Sequence, residues 1–127
     1  MTRYTKTHMV HKHFLAFGYA LKGLRTAWSE ELHFRFHIFF AVVALLMSWA
    51  FHISRAEFIT VLILIALVLS AELLNTALEE LCDKFSPTHD PHIAKIKDLG
   101  AAAVFCCALV AFIAGLIIFA PHILTTI

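Results

Sequence analysis

Residues 58–83 run from F-I-T-V-L-I-L-I-A-L-V-L-S directly into A-E-L-L-N-T-A-L-E-E-L-C-D, with no Gly or Pro to interrupt them. The first half is apolar enough to sit in lipid, and the second gains a carboxylate nearly every turn. A single helix leaving an apolar medium at one end is the expected form. At about 100° per residue, Glu72, Asn75, Thr76, Glu79 and Asp83 fall within about a third of the helix circumference. An ionisable group in a spanning segment costs about 3 kcal/mol or more unless it faces protein, ion or water. Acids, an amide and a hydroxyl gathered on one face at a membrane boundary therefore mark a functional surface.

The rest of the chain has the composition that lipid demands. Of its 127 residues, 61% are hydrophobic and only 15% charged, with a mean hydropathy of +0.82. A soluble domain carries roughly 25% charge. This length suits one domain, and a net charge of +1 excludes a nucleic-acid partner held by counterion release. Cys82, Cys106 and Cys107 cannot build a disulfide framework and read as reduced packing residues. Residues 1–13 are basic and His-rich but lead into no apolar core of signal-peptide type, so no cleavable targeting segment is expected.

In chain order, Phe14, Phe17, Leu21, Leu24, Trp28 and Leu32 recur at helical spacing, with Lys12, Lys22, Arg25 and Ser29 on the other face. This predicts an amphipathic helix over 8–33 that lies in a membrane interface or packs on a bundle. Gly18 and Gly23 on it would let a backbone or ligand come close. Three spanning helices are expected over 36–53, 58–81 and 99–120, joined by a tight connection at 54–57 and a Pro- and His-containing loop at 84–96. In the third span Lys97, Ala101, Val104, Ala108, Ala111 and Gly115 share a face. Small residues in a stripe let membrane helices approach, and packing on the acidic helix would bring Lys97 beside Glu79 and Asp83.

Basic residues set the orientation. Arg3, Lys6, Lys12, Lys22, Arg25 and Arg35 precede the first span, and Lys84, Lys95 and Lys97 lie between the second and third, against Arg55 alone in the first loop. The positive-inside rule puts the N-terminus and second loop in the cytosol. Glu30, Glu31, Arg35, Glu79, Asp83, Lys97 and Asp98 then all sit on the side where ATP is found. Two carboxylates plus substrate phosphates make a typical Mg²⁺ site, and Glu79 and Glu31 are the candidates for it. Lys97 would neutralise phosphate charge, and Asn75 would donate to a transferring phosphoryl oxygen. Glu72 lies two turns deeper, a position for a general base acting on a lipid hydroxyl. No G-x-x-x-x-G-K-[ST] loop and no strand-borne G-x-G-x-x-G is present.

The run E-L-L-N-T-A-L-E-E-L-C-D at 72–83, followed by I-A-K-I-K-D-L-G-A-A-A-V at 93–104, resembles the prokaryotic diacylglycerol kinase family, which includes the undecaprenol kinases. Residues 18–25 (G-Y-A-L-K-G-L-R), Glu31 and F-R-F-H at 34–37 resemble its N-terminal pattern, so the likeness covers nearly the whole chain. It implies an all-α membrane enzyme, an interfacial helix plus three transmembrane helices, working as a homotrimer in a bacterial inner membrane. Such an enzyme transfers the ATP γ-phosphate to a lipid alcohol with Mg²⁺, at sites shared between protomers. By motif position, Glu72 is implied as the base, Asn75 as a phosphoryl contact, and Glu31 and Glu79 as metal ligands. Lys97 is implied to meet the phosphates, with Asp98, Asp83 and Arg35 as supporting groups, and Tyr19 and Gly23 to lie near the nucleotide. H-F-R-F-H at 33–37 is closer to the N-F-R-I-H of the undecaprenol branch than to the A-F-R-Q-E of the diacylglycerol branch, although His33 stands where the former has Asn. Undecaprenol is the favoured substrate, and diacylglycerol the alternative.

Plainer readings apply elsewhere. Glu30 and Glu80 read as solvated neighbours of site residues. His8, His11 and His13 read as surface groups, and His89, Asp90 and His92 as loop residues before a metal site. A non-enzymatic ion or proton translocator using Glu72 as a relay would need ionisable groups through the bilayer depth. The outer halves of the three spans carry no Asp, Glu, Lys or Arg.

Overall fold

The structure, a computed structural model, describes residues 4–85 and 90–126, with side chains over 15–85 and 90–125. The side chains of His8, His11 and His13, and the whole of His89, lie outside the described residues. Four helices follow one another: α1 (Tyr4–Glu30), α2 (Leu32–Ala50), α3 (Arg55–Phe85) and α4 (Pro91–Thr126). α2, α3 and α4 are each long and apolar enough to cross a membrane. The chain divides into two units, 1–32 and 33–127. In the first, α1 carries Phe17, Leu21, Leu24 and Trp28 as exposed apolar side chains, with Lys22 and Arg25 exposed as well.

The turns of the second unit differ from the sequence-based expectation in instructive ways. The first connection is 51–54, not 54–57, because Ser54 caps α3 rather than following a loop. The Ser54 backbone N–H donates to Glu57 Oε2 at 2.8 Å, and the Glu57 N–H donates to Ser54 Oγ at 3.3 Å. This reciprocal box satisfies orphan donors at the helix start. Just before it, His52 takes φ 51°, its N–H reaches Trp49 O at 3.3 Å, and the Ile53 N–H reaches Ser48 O at 3.4 Å. That pair of bonds is a Schellman ending for α2, with His where Gly is usual.

The loop expected over 84–96 is shorter, since α3 runs to Phe85 and α4 begins at Pro91. Pro91 there starts a helix: its missing N–H and fixed φ suit the first helical position. Asp90 is the cap, with Oδ1 accepting the His92 N–H at 2.8 Å and its carbonyl accepting that of Ala94 at 2.9 Å. The third spanning stretch likewise runs past 120, with Pro121 inside the helix.

α3 and α4 pack against each other antiparallel along their length. At the end opposite the acids, Val61, Ile118 and Phe119 form a small core against which Ala44, Met47, Phe51, Ile53 and Ile65 pack. A core of this size would not hold a water-soluble domain of this length. Phe36, Phe39, Trp49, Phe105 and Ile117 instead face outward, exposed. Apolar side chains cost nothing against lipid, and helix contact there comes from close packing. The protein is an all-α membrane protein.

Candidate functional site

The acidic half of α3 grades from buried to exposed along one face. Glu72 is 4% exposed. Asn75, Thr76 and Glu79 are half-buried, and Asp83 is exposed. Glu80, one residue off the face, is exposed, as its reading as a solvated neighbour expects. The carboxyl-bearing face thus turns into protein where lipid would penalise it most.

Three contacts organise this face. Asn75 Nδ2 donates to Glu79 Oε1 at 3.1 Å, the i, i+4 reach of one helical turn. Lys97 Nζ donates to Asp83 Oδ1 at 2.9 Å across the α3–α4 seam. His37 Nε2 of α2 lies 3.9 Å from Glu72 Oε2. Lys97 stands ahead of the apolar run 99–120, and its hydrogen bond to Asp83 fixes where the ammonium sits. Lys97 is about a third exposed, at 34%, and Asp83 is open to solvent, at 66%. Pairs of that kind contribute about 0–1 kcal/mol to stability, so the pair matters for where it puts the ammonium. Glu79 also lies within electrostatic reach of Lys97.

Asp98 is exposed on α4, and Arg35 is exposed near the start of α2. Glu31, Tyr19 and Gly23 belong to the first unit. Glu31 is the non-helical residue between α1 and α2, half-buried, its N–H donating to Ala27 O at 2.9 Å. Tyr19 is 70% exposed, and a Cβ at Gly18 or Gly23 would meet nothing within 4 Å.

Two contacts are not foreseen from the sequence. His37 enters there only as the last residue of the H-F-R-F-H motif, and no spacing within α3 could place an α2 residue beside Glu72. The α4 stripe was expected to include Ala101, but Ala101 is exposed and Gly100 faces α3 instead. Val104, Ala108, Ala111 and Gly115 are half-buried as the stripe requires. His37, Ala108, Ala111 and Gly115 line a crevice of about 530 Å³ among α2, α3 and α4, otherwise walled by aliphatic and Phe side chains.

Among the described residues no three His, Cys, Asp or Glu side chains converge, so this chain offers no all-protein metal cage there. What α3 does offer is the half-buried Glu79 carboxylate, oriented by Asn75 and near a fixed cation. That donor set fits Mg²⁺, which keeps waters and phosphate oxygens and takes only one or two carboxylates. It does not fit a site built for Zn²⁺, which would need four protein or water ligands with N or S donors.

The family model for prokaryotic diacylglycerol kinase matches residues 18–119. An undecaprenol kinase of Bacillus subtilis is 32% identical over 114 residues, covering 90% of this chain and 93% of the relative. A diacylglycerol kinase of Escherichia coli is 30% identical over 107 residues, covering 84% and 88%. A diacylglycerol kinase of Pseudomonas aeruginosa is 34% identical over 90 residues, covering 71% and 73%.

Proposed function

The chain belongs to the prokaryotic diacylglycerol kinase family and is a lipid kinase with ATP as co-substrate, and from that premise we propose that it phosphorylates undecaprenol, with Glu72 as the general base. The observation that carries the reading is the setting of Glu72. It is 4% exposed and lies beside His37, which lines an apolar crevice of about 530 Å³ running toward the other end of the bundle. A carboxylate beside a residue that lines such a crevice suits the one polar atom of a long apolar alcohol.

In the proposed reaction Glu72 accepts the hydroxyl proton as the lipid oxygen bonds to the γ-phosphorus. The bond from that phosphorus to the β,γ-bridging oxygen breaks, and ADP leaves. Asn75 Nδ2 has two hydrogens, of which one goes to Glu79 and the other is available to a phosphoryl oxygen. Lys97, steered by Asp83, meets the phosphates, with Asp98 and Arg35 supporting and Tyr19 and Gly23 near the nucleotide. Mg²⁺, held by Glu79 and Glu31, would supply charge neutralisation at the phosphate oxygens. The working assembly is a homotrimer in a bacterial inner membrane, with the N-terminus and the 84–96 segment in the cytosol.

The H-F-R-F-H segment favours undecaprenol, and its last residue is the His37 beside Glu72. Diacylglycerol is the second reading, favoured by the named activities of the E. coli and P. aeruginosa relatives. Purified protein in mixed micelles with Mg²⁺ and labelled ATP should transfer label to undecaprenol faster than to diacylglycerol. A faster rate with diacylglycerol would select the second reading, and no transfer to either would overturn both.

A chain this small cannot enclose a nucleotide and a lipid alone, so the site is expected to draw residues from two protomers. Co-assembling a Glu31→Gln variant with a Glu72→Gln variant, each inactive alone, should restore a fraction of the activity in mixed trimers. Co-assembled trimers that remain silent would contradict a shared site.

A further inference from the structure

Where α4 crosses the acidic end of α3, Gly100 lies against Asn75. A Cβ built on Gly100 would fall on Asn75 Oδ1, closer than any real contact allows, and 3.0 Å from Leu78 Cδ2. That same Asn75 oxygen is buried and accepts no hydrogen bond, while Nδ2 of the same carboxamide holds Glu79. The carboxamide is therefore wedged, one atom against the Gly100 backbone and the other on the carboxylate. Leaving a buried carbonyl oxygen unpaired is costly, and it is the Nδ2 bond to Glu79 that holds the carboxamide in this orientation.

We propose that Gly100 is a positioning residue for phosphotransfer: its missing side chain keeps the Asn75 carboxamide turned so that Nδ2 meets Glu79. This rests on the reading of Asn75 and Glu79 as parts of the phosphotransfer site. A methyl at residue 100 is relieved most cheaply by movement of the Asn75 side-chain tip, since the alternative is separating two packed helices. That movement breaks the Asn75–Glu79 bond and redirects the second N–H. A misplacement of about 1 Å in a site of this kind can cost ~10²-fold in rate.

The test compares wild type, Gly100→Ala, Leu78→Ala and the Leu78→Ala/Gly100→Ala double variant as full-length protein in mixed micelles. The double variant makes room at Leu78 but not at Asn75. Three readouts are needed: kcat and the lipid KM, the thermal midpoint, and the Asn75 side-chain amide resonance in ¹⁵N-labelled protein. Gly100→Ala is expected to shift the Asn75 resonance and lower kcat by about tenfold or more with an unchanged lipid KM. The double variant is expected to stay folded and equally slow. Full activity in either Gly100 variant, or an unmoved Asn75 resonance, would overturn the proposal. Loss of the folded protein in both would overturn it too, by making Gly100 a folding residue. If wild type itself transfers no phosphate while the Asn75 resonance still shifts in Gly100→Ala, the geometric claim stands and the kinase site assignment fails.

Discussion

Glu72→Gln should lower kcat by about 10²–10⁴-fold, the usual worth of a positioned general base, and leave Mg–ATP affinity unchanged. The substitution is isosteric, so the packing around a side chain that is 6% exposed survives it. An amide cannot accept a proton from an alcohol, yet it can still lie beside His37. A neutral side chain is also easier to bury than a carboxylate, so the folded state should be no less stable. Steady-state kinetics alongside equilibrium nucleotide binding on the same preparation checks both halves. A parallel loss of nucleotide affinity would move Glu72 from the base to the phosphate end of the site.

Glu79→Gln should behave in the opposite way. It is two turns nearer the exposed end of α3, half-buried, held by Asn75 at 3.1 Å and close to the Lys97 ammonium. Those neighbours orient a carboxylate toward cation and phosphate rather than toward lipid. Loss of the groups that merely orient a metal ligand already costs ~10–100-fold in metal affinity, and loss of the ligand's charge should cost at least that much. The Mg–ATP KM is expected to rise accordingly, while the lipid KM stays level. An unchanged Mg–ATP KM with a collapsed kcat would erase the division of roles between Glu72 and Glu79.

How much of this was legible in the sequence follows from the range of each interaction. Glu72, Asn75, Glu79 and Asp83 share a helix face by periodicity alone, and lipid makes acids on such a face conspicuous. The pairing of Lys97 with Asp83 followed from packing a small-residue stripe on the acidic helix, because a short hairpin leaves an antiparallel neighbour few registers. The stripe itself was one residue out at its polar end. Ala101 is exposed and Gly100 faces α3, since the approach to Asn75 tolerates no side chain at all. Periodicity treats Gly and Ala as nearly alike there, and only the neighbour's bulk distinguishes them. The Pro- and His-containing composition of 84–96 reads as loop, yet Asp90 and Pro91 together begin a helix; a Pro signals a stop or a start according to the cap before it. His37 was beyond reach because its partner lies on another helix, and the contact depends on how α2 leans on α3.

The claim beneath all of this is that the inner acids of α3 grip a metal-bound triphosphate facing an alcohol dissolved in the bilayer. Mn²⁺ in place of Mg²⁺ makes that grip visible by electron paramagnetic resonance, as broadening and loss of the Mn–ATP signal when protein is added. Wild type and Glu72→Gln should quench the signal at the same protein concentration, and Glu79→Gln should need ~10-fold more or greater. Identical titrations for all three proteins would contradict the account, because Glu79 would then hold no ion.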